Sequence, residues 1–451
     1  MKDYLRKKIQ PYAAKLISDH RTLQLKRSIY EGIRKLTKQP HRLTVYLRIN
    51  DPYSYLLVQV LASLEQRFAL QIHFHTIQKL DQGMYPEPEM WHDNGFIDAT
   101  HLADLYDLRW PSQGPENDRM RVQQGVRRLL DLETRYLKQQ MSPWAELEAI
   151  FADYWFDQGG DRTSEADQQG LLALESLLAT NEQALKDKGH YMSAMLYYGG
   201  EWYWGLDRLD HLEKRLNQLA LNRADKPAQV RFNKTYINFC LPGNALKSAN
   251  AQVKKLVLYC SIRSPYSYIA LEQGIKLAKH YQCELDIKPV LPMVMRGLSV
   301  PEAKKMYIFH DTKREALKLG LDYGFVADPL GLGVENCYRL FSYAQTLGCE
   351  KEYLLNFAQA VNAQGIHADT NAGLKIIIER SGMDWPQAKT LLEDENTRDD
   401  WQSWAEANRQ QMLALGSWGV PTFKYGDLVL WGQDRIGLIE QAMQRDLAKT
   451  E

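Results

Sequence analysis

The sequence has few cysteines, and none is placed for the chemistry that cysteine pairs usually perform. All five lie after residue 239 of the 451-residue chain, so the first half has none; they are Cys240, Cys260, Cys283, Cys337 and Cys349. No two form a C-x-x-C redox motif, and no spacing matches a zinc site. We therefore expect no metal site, and we interpret the cysteines as buried small hydrophobic residues in a reducing compartment.

Net charge and long apolar runs are also missing. Lys and Arg together number 56, as do Asp and Glu, so the formal net charge is zero. This balance gives no electrostatic reason to expect nucleic acid or an acidic membrane surface as a partner. No apolar run approaches the length of a membrane span, and residues 1–9 are too charged for a signal peptide. We expect a cytoplasmic protein without nucleic-acid or membrane partners.

Internal repetition is what the sequence does contain. Two segments each run from a short apolar stretch into Pro-Tyr-Ser-Tyr, beginning at Pro52 and at Pro265. Two further pairs of similar segments follow in the same order and at similar separations. The pairs are 44–55 with 256–268, 151–159 with 357–365, and 198–208 with 425–435. Such repetition indicates a duplicated domain.

Each copy has the element order of a thioredoxin-like domain. A strand, a helix and a strand are followed by a long helical stretch, then by a hairpin and a final helix. We predict an α/β protein with two tandem thioredoxin-like domains of the DsbA type, each with an inserted helical subdomain. The predicted regions are 1–40, a helical N-terminal extension; 41–215, a degenerate thioredoxin-like domain; 216–252, a linker; and 253–451, the domain with the active site.

Ser264 is the first candidate for chemistry. A Ser followed by Pro is a common start of a helix, where the hydroxyl accepts from free backbone N–H groups. The helix N-terminus also favours an anion, so this hydroxyl could donate to a bound thiolate. The first copy has Asp51 at this position, an equally good cap whose carboxylate would repel a thiolate.

Two further motifs lie near the predicted hairpin of the second copy. In Gly419-Val420-Pro421-Thr422 we predict a cis bond before Pro421, which would turn the backbone groups of Val420 toward an extended ligand. The first copy has Ala194 in place of Pro421, so we expect no cis bond there. Gln433 and Asp434 begin the last helix, where Asp434 is either a helix cap or a ligand contact, and both interpretations stay open.

These motifs in this order resemble one branch of the DsbA-like superfamily, that of the 2-hydroxychromene-2-carboxylate isomerases and kappa-class glutathione transferases. The resemblance covers nearly the whole second copy. It implies that Ser264 stabilises a glutathione thiolate, and that Val420 and Pro421 hold the cysteinyl backbone. It implies that Gln433 and Asp434 hold the γ-glutamyl end. By the same resemblance, the substrate-facing residues are Lys304, Asn336 and Trp418.

The resemblance implies a glutathione-dependent isomerase or transferase that acts on a small, aromatic substrate. Two alternatives remain: a DsbA-family thiol-disulfide oxidoreductase, and a non-catalytic glutathione- or peptide-binding protein. The oxidoreductase is disfavoured because residues 263–267 contain no cysteine. Single-copy relatives generally pair as homodimers, so we expect a monomeric chain whose two halves form an intramolecular pseudo-dimer.

Overall fold

The computed structural model describes residues 2–79, 84–85, 87–115, 118–139, 142–156, 168–242, 254–395 and 399–448. Two helices, α1 (Lys2–Ser18) and α2 (His20–Leu36), precede the first sheet. The elements that follow are β1 (Arg42–Leu47), α3 (Pro52–Arg67), β2 (Gln71–Thr76), α4 (Pro88–Tyr106), α5 (Arg119–Gln139), α6 (Trp144–Trp155), α7 (Gln168–Asp187), β3 (Met195–Tyr198), β4 (Glu201–Trp204) and α8 (Leu209–Gln218).

The second half repeats the pattern of strands with a larger helical insert. Its elements are β5 (Leu256–Cys260), α9 (Pro265–Tyr281), β6 (Leu285–Pro289), α10 (Glu302–Lys318), α11 (Leu332–Arg339), α12 (Phe341–Thr346), α13 (Glu350–Ala363), α14 (Asn371–Arg380), α15 (Trp385–Glu393), α16 (Asp400–Ala414), β7 (Thr422–Tyr425), β8 (Leu428–Trp431) and α17 (Ile436–Ala448). The fold is mixed α/β with two four-stranded sheets.

The two sheets have the same topology. Their strand orders are β2-β1-β3-β4 and β6-β5-β7-β8. In each, the first two strands pair in parallel across a connecting helix, and the remaining pairs are antiparallel. The predicted hairpins are confirmed: the turn between β3 and β4 is Gly199-Gly200, where both residues have positive φ, and Gly426 supplies a positive φ in the other turn.

Helix starts follow the capping chemistry that the sequence predicts. Asp51 caps α3 and Ser264 caps α9, each accepting from the backbone N–H three residues later and each followed by Pro. Phe151 in α6 and Phe357 in α13 are both fully buried, and each of these two helices packs on the helix that follows the first strand of its own sheet. The end of the repeated segment 151–159 lies outside the described residues.

The chain divides into two compact units, each with its own hydrophobic core. The N-terminal unit comprises Gln24–Lys234 and Pro301–Tyr307, and the C-terminal unit comprises Met1–Leu23, Thr235–Val300 and Ile308–Glu451. These bounds differ from the predicted regions because α1 belongs to the C-terminal unit, where the Tyr12 ring lies 5.2 Å from the Phe325 ring. The first residues of α10 belong to the N-terminal unit.

The described part of the predicted linker, 216–242, is divided between the units by its hydrogen bonds. Up to Lys234 it belongs to the N-terminal unit, where the Arg67 guanidinium donates to the Gln229 carbonyl at 2.7 Å. Beyond that residue it belongs to the C-terminal unit, where the Cys240 amide donates to the buried Glu440 carboxylate at 2.9 Å. Residues 243–253 lie outside the described part. Among the described helices, none combines the length and apolar character needed to cross a membrane.

Candidate functional site

Most of the predicted site residues lie at one end of the second sheet. Tyr259, the next-to-last residue of β5, pairs with Thr422, the first residue of β7, and Thr422 pairs with Trp431, the last residue of β8. The loop that carries Ser264 leaves β5 at this end, and Pro421 enters β7 there. The sheet topology therefore brings together segments that are about 160 residues apart in the chain.

Ser264 lies at the N-terminus of the 17-residue helix α9. Its Oγ accepts from the Ser267 backbone N–H at 3.3 Å, and the Ser267 hydroxyl in turn accepts from the Ser261 N–H at 3.2 Å. Within the described part of the chain, no residue accepts a hydrogen bond from the Ser264 hydroxyl, which is half-buried. The side chain therefore caps the helix and keeps its proton available to a ligand.

The first sheet has the same arrangement with a different charge. The Asp51 carboxylate accepts from the Ser54 backbone N–H at 3.0 Å and from the Ser54 hydroxyl at 2.6 Å, and Ser54 accepts from the Arg48 N–H at 3.2 Å. Asp51 is 2% exposed. A carboxylate thus occupies the position that the Ser264 hydroxyl has in the other unit.

The peptide bond between Val420 and Pro421 is cis, as predicted, and the bond before Ala194 is not. Gly432 donates its N–H to the Pro421 carbonyl at 2.8 Å. The equivalent hydrogen bond joins Gly205 to Ala194 at the same distance. Within the described residues, the backbone N–H and C=O of Val420 have no backbone partner. Both groups are therefore available to an extended ligand.

Aromatic and hydroxyl side chains fix this loop. The Trp418 and Trp431 rings have centroids 5.4 Å apart. A Cβ on Gly419 would lie 2.7 Å from Nε1 of Trp431, so this position requires glycine. The Thr422 hydroxyl donates to the Gly419 carbonyl and contacts the Ser417 hydroxyl, both at 2.6 Å. Trp418, predicted to face the substrate, is half-buried and precedes Val420 by two residues in the chain.

Gln433 and Asp434 form the start of a short 3-10 helix that leads into α17. The Gln433 amide donates to the Asp434 carboxylate at 2.8 Å, and Gln433 is 4% exposed. Since Gly432 is hydrogen-bonded to Pro421, both residues lie beside the Val420 loop. Asn336 differs, because its buried amide donates within the helical insert, to the Ala368 carbonyl at 3.4 Å.

Lys304 belongs to the N-terminal unit. Its Nζ donates to the Met84 carbonyl at 2.7 Å. Burial in apolar surroundings lowers the pKa of this amine to about 8. An apolar cluster that includes Tyr85, Met192 and Tyr307 accounts for these surroundings. The Lys304 amine therefore stays mostly protonated at neutral pH but releases its proton at a lower pH than an ordinary lysine does. The contact with Met84 was not predicted from the sequence.

A pH dependence of stability follows from Lys304. Between about pH 8 and pH 10.5 the unfolded chain still holds the proton that the folded protein has released, so the free energy of unfolding should rise with pH across this window. Replacement by Met should raise this free energy at neutral pH by on the order of 1–3 kcal/mol and flatten the rise. Urea unfolding at neutral pH and at the upper end of the window tests this. The control Lys305→Met replaces an exposed neighbour, so it should change neither the free energy of unfolding at neutral pH nor its rise with pH. An unaltered pH profile in the Lys304 variant would contradict the assignment.

The sequence marked Asp311 and Arg314 through their helical spacing, but it predicted neither the Tyr266–Asp311 hydrogen bond nor an ion pair of Arg263. Arg263, next to Ser264, forms a bidentate ion pair with Asp328 at 2.8 and 2.7 Å. Asp311, which is fully buried, accepts from the Tyr266 hydroxyl at 2.7 Å and from Arg314 at 2.7 Å. Arg263 could have been noticed from its place beside Ser264, whereas the pairing with Asp328 has no signal in the sequence.

The Tyr266–Asp311 hydrogen bond has a counterpart in the other unit. The Tyr53 hydroxyl donates to Asp98 at 2.9 Å, and both pairs are separated by 45 residues in the chain. Tyr53 and Tyr266 each follow the first Pro of their helix. This correspondence, together with the common sheet topology, supports the proposal of a tandem duplication.

None of the five cysteines has the lowered thiol pKa that is typical of a reactive cysteine. All five are free, and burial is the main cause that raises the pKa of each thiol. The pKa of Cys260, at the end of β5 nearest the site, is raised to about 12 by complete burial. Any thiolate chemistry at this end of the sheet therefore needs a thiol from outside the chain.

Comparison with known proteins gives a family match for the second half of the chain. Residues 255–444 match the family model of the DSBA-like thioredoxin domain. The second half is a DSBA-like thioredoxin domain. The match leaves residues 1–254 outside it, so the relationship of the first half to this family stays a proposal.

The relatives of the DSBA-like domain differ in activity. The 2-hydroxychromene-2-carboxylate isomerase of Pseudomonas putida is 25% identical over 198 residues, which is 42% of this chain and 93% of the isomerase. A solved selenomethionine form of 2-hydroxychromene-2-carboxylate isomerase is 23% identical, covers 44% of this chain and 97% of its own, and has a TM-score of 0.38. The cytosolic disulfide reductase DsbM of Pseudomonas aeruginosa is 14% identical with coverages of 44% and 98% and a TM-score of 0.32.

Proposed function

We propose that the protein is a glutathione-dependent isomerase or transferase whose one working site is in the DSBA-like domain. The observation that carries the proposal is the Ser264 hydroxyl at the N-terminus of α9, free to donate, where the sequence of a disulfide enzyme would hold a thiol. A helix N-terminus and a hydroxyl donor both stabilise a thiolate relative to a thiol. The similarity to the isomerase of Pseudomonas putida supports this class.

In this proposal, the chain binds glutathione through three groups. The Val420 backbone pairs with the cysteinyl residue, Gln433 and Asp434 hold the γ-glutamyl end, and Ser264 donates to the sulfur. The bound thiolate adds to an electrophilic carbon of a small aromatic substrate. As the C–S bond forms, the π electrons of the attacked C=C bond move onto a conjugated carbonyl oxygen of the substrate. Rotation about the resulting single bond and return of these electrons expel the thiolate and give the isomer, whereas protonation of the enolate leaves the conjugate. Trp418, two residues before Val420 in the chain and half-buried, offers an aromatic ring to the substrate.

Thiol-disulfide exchange by the chain itself is disfavoured. Such exchange needs an accessible low-pKa cysteine, whereas burial raises the pKa of every cysteine here. Five free thiols are also compatible with a reducing, cytoplasmic setting, which forms part of the proposal.

Calorimetric titration of the full chain with glutathione tests the proposal. We expect one site per chain, because the first unit presents the Asp51 carboxylate where a thiolate would have to lie. The ultraviolet absorbance of the bound thiolate should appear at neutral pH, and a screen of small aromatic acids should give glutathione-dependent turnover. Two equal sites or no binding would refute the proposed site. Binding without turnover would identify a binding protein, and disulfide reduction without glutathione would identify an oxidoreductase.

A further inference from the structure

The N-terminal unit contains a cavity of about 490 Å³. It lies at the carboxyl end of β1, between the loop that leads into α3 and the first turns of α4. Arg48, Asn50 and Pro52 line it from the loop, and Trp91 lines it from α4. The volume is in the range of small-molecule sites, which hold a molecule of one or two rings.

The Arg48 guanidinium lines this cavity and forms no ion pair with any residue that the structure describes. Arg48 is 7% exposed, and its buried Nε has no hydrogen-bond partner. The buried Asp51 carboxylate accepts two hydrogen bonds from Ser54 and is not within ion-pair distance of Arg48. A buried charge without a partner costs free energy, so keeping it here indicates an anion that arrives with a ligand.

The remaining lining restricts the chemistry of that anion. The planar guanidinium fits carboxylates and phosphates with two parallel hydrogen bonds. Glu89 and Asp93 are exposed at the rim of the cavity, and their negative charge disfavours a multiply charged phosphate relative to a carboxylate with a single charge. Trp91 and Pro52 add apolar rings to the lining.

Asn50 also lines this cavity. The buried Oδ1 of Asn50 has no hydrogen-bond partner in the described part of the chain. An amide oxygen accepts hydrogen bonds, so the ligand should carry a hydroxyl or amine hydrogen near its carboxylate. Arg48 and Asn50 are two residues apart in the loop after β1, so they can reach one small molecule together.

We propose that this cavity binds a small, singly charged organic carboxylate with a flat apolar body, its carboxylate on Arg48 and a hydroxyl or amine on Asn50. The first unit is then a second ligand site of different specificity, and not a degenerate copy. The proposal does not rest on the proposed function, because it concerns neither Ser264 nor glutathione.

Calorimetry of the full chain with 2-hydroxybenzoate tests the site. We expect saturable binding that Arg48→Met weakens at least tenfold, with an unchanged or higher Tm in the absence of ligand, because the variant removes an unpaired buried charge. Arg42→Met is the matched control, since Arg42 is the exposed first residue of β1, the strand that leads to Arg48, and this variant should bind as the parent does. Arg48→Lys should fold and keep the positive charge, but a lysine amine cannot form the two parallel hydrogen bonds of a guanidinium. Its affinity for 2-hydroxybenzoate should therefore lie between those of the parent and of Arg48→Met.

Further probes establish whether the cavity recognises the carboxylate itself. The neutral 2-hydroxybenzamide should bind at least tenfold more weakly than 2-hydroxybenzoate, inorganic phosphate should not compete, and Ser264→Ala should leave the affinity unchanged. Equal affinities of the Arg48 and Arg42 variants, the absence of 2-hydroxybenzoate binding, or tighter binding of phosphate would each overturn the proposal. Failure of glutathione to bind would leave it standing, because that result concerns the C-terminal unit.

Discussion

Replacement of Ser264 by Asp is expected to weaken glutathione binding at least 100-fold while the domain stays folded. The new carboxylate would lie where the proposal places the thiolate, and two negative charges about 4 Å apart repel by about 4 kcal/mol in partly buried surroundings. Folding should survive because Asp51 caps α3 with the same geometry that Ser264 has at α9. Calorimetric titration and a thermal unfolding curve measure both effects.

Thr370→Asp is the control for this substitution. Thr370 also caps a helix of the C-terminal unit, accepting from the Gly373 N–H at 3.1 Å, and its helix α14 begins elsewhere in the unit. This variant should bind glutathione as the parent does. If Ser264→Asp binds glutathione as well as Thr370→Asp does, the thiolate does not lie at Ser264. Ser264→Ala should retain part of the affinity and raise the pKa of the bound thiol, since it removes a donor without adding charge.

The largest loss of stability is expected from Asp311→Ala. The carboxylate is fully buried, and the change leaves the Arg314 guanidinium and the Tyr266 hydroxyl without it. Removal of one member of a buried ion pair costs about 3–5 kcal/mol because the remaining charge stays in a poorly solvated place. Urea unfolding followed by circular dichroism measures the loss.

Asp369→Ala serves as its matched control. Asp369 also pairs with a basic residue, Lys7, at 2.8 Å, but the lysine side chain is largely exposed, so the cost should stay within about 1 kcal/mol. Similar losses of unfolding free energy in the two variants would show that the Tyr266–Asp311–Arg314 contacts stabilise the fold no more than an exposed ion pair does. Tyr266 directly follows Pro265 at the start of α9, so a drop in glutathione affinity of Asp311→Ala is a second expected result.

Local chemistry made part of the site predictable. The starts of α3 and α9 follow from a capping side chain before Pro, and the hairpins follow from positive-φ turns such as Gly199-Gly200. The cis bond before Pro421 was predicted from a Val-Pro-Thr that enters a strand. Each of these features depends on a few neighbouring residues, which is why the sequence was sufficient.

Contacts between distant segments were not predictable in the same way. The sequence suggested that Lys304 faces the substrate, but its contact with Met84 and the lowered pKa of its amine depend on residues more than 200 positions earlier. The burial of Asn336 against Ala368, the ion pair of Arg263 with Asp328, and the cavity beside Arg48 are likewise products of tertiary packing. No periodicity or motif marks such pairs.

The sequence by itself determined the repeated strand and helix order, the helix caps and the absence of a thiol beside Ser264, because these depend on side-chain type and on short-range backbone preferences. Only the tertiary structure decided how the chain divides into units, which groups share one end of a sheet, and which charges are buried without a partner. The physical reason is that burial and the pairing of charges depend on every segment that packs around a residue, and those segments come from all parts of the chain.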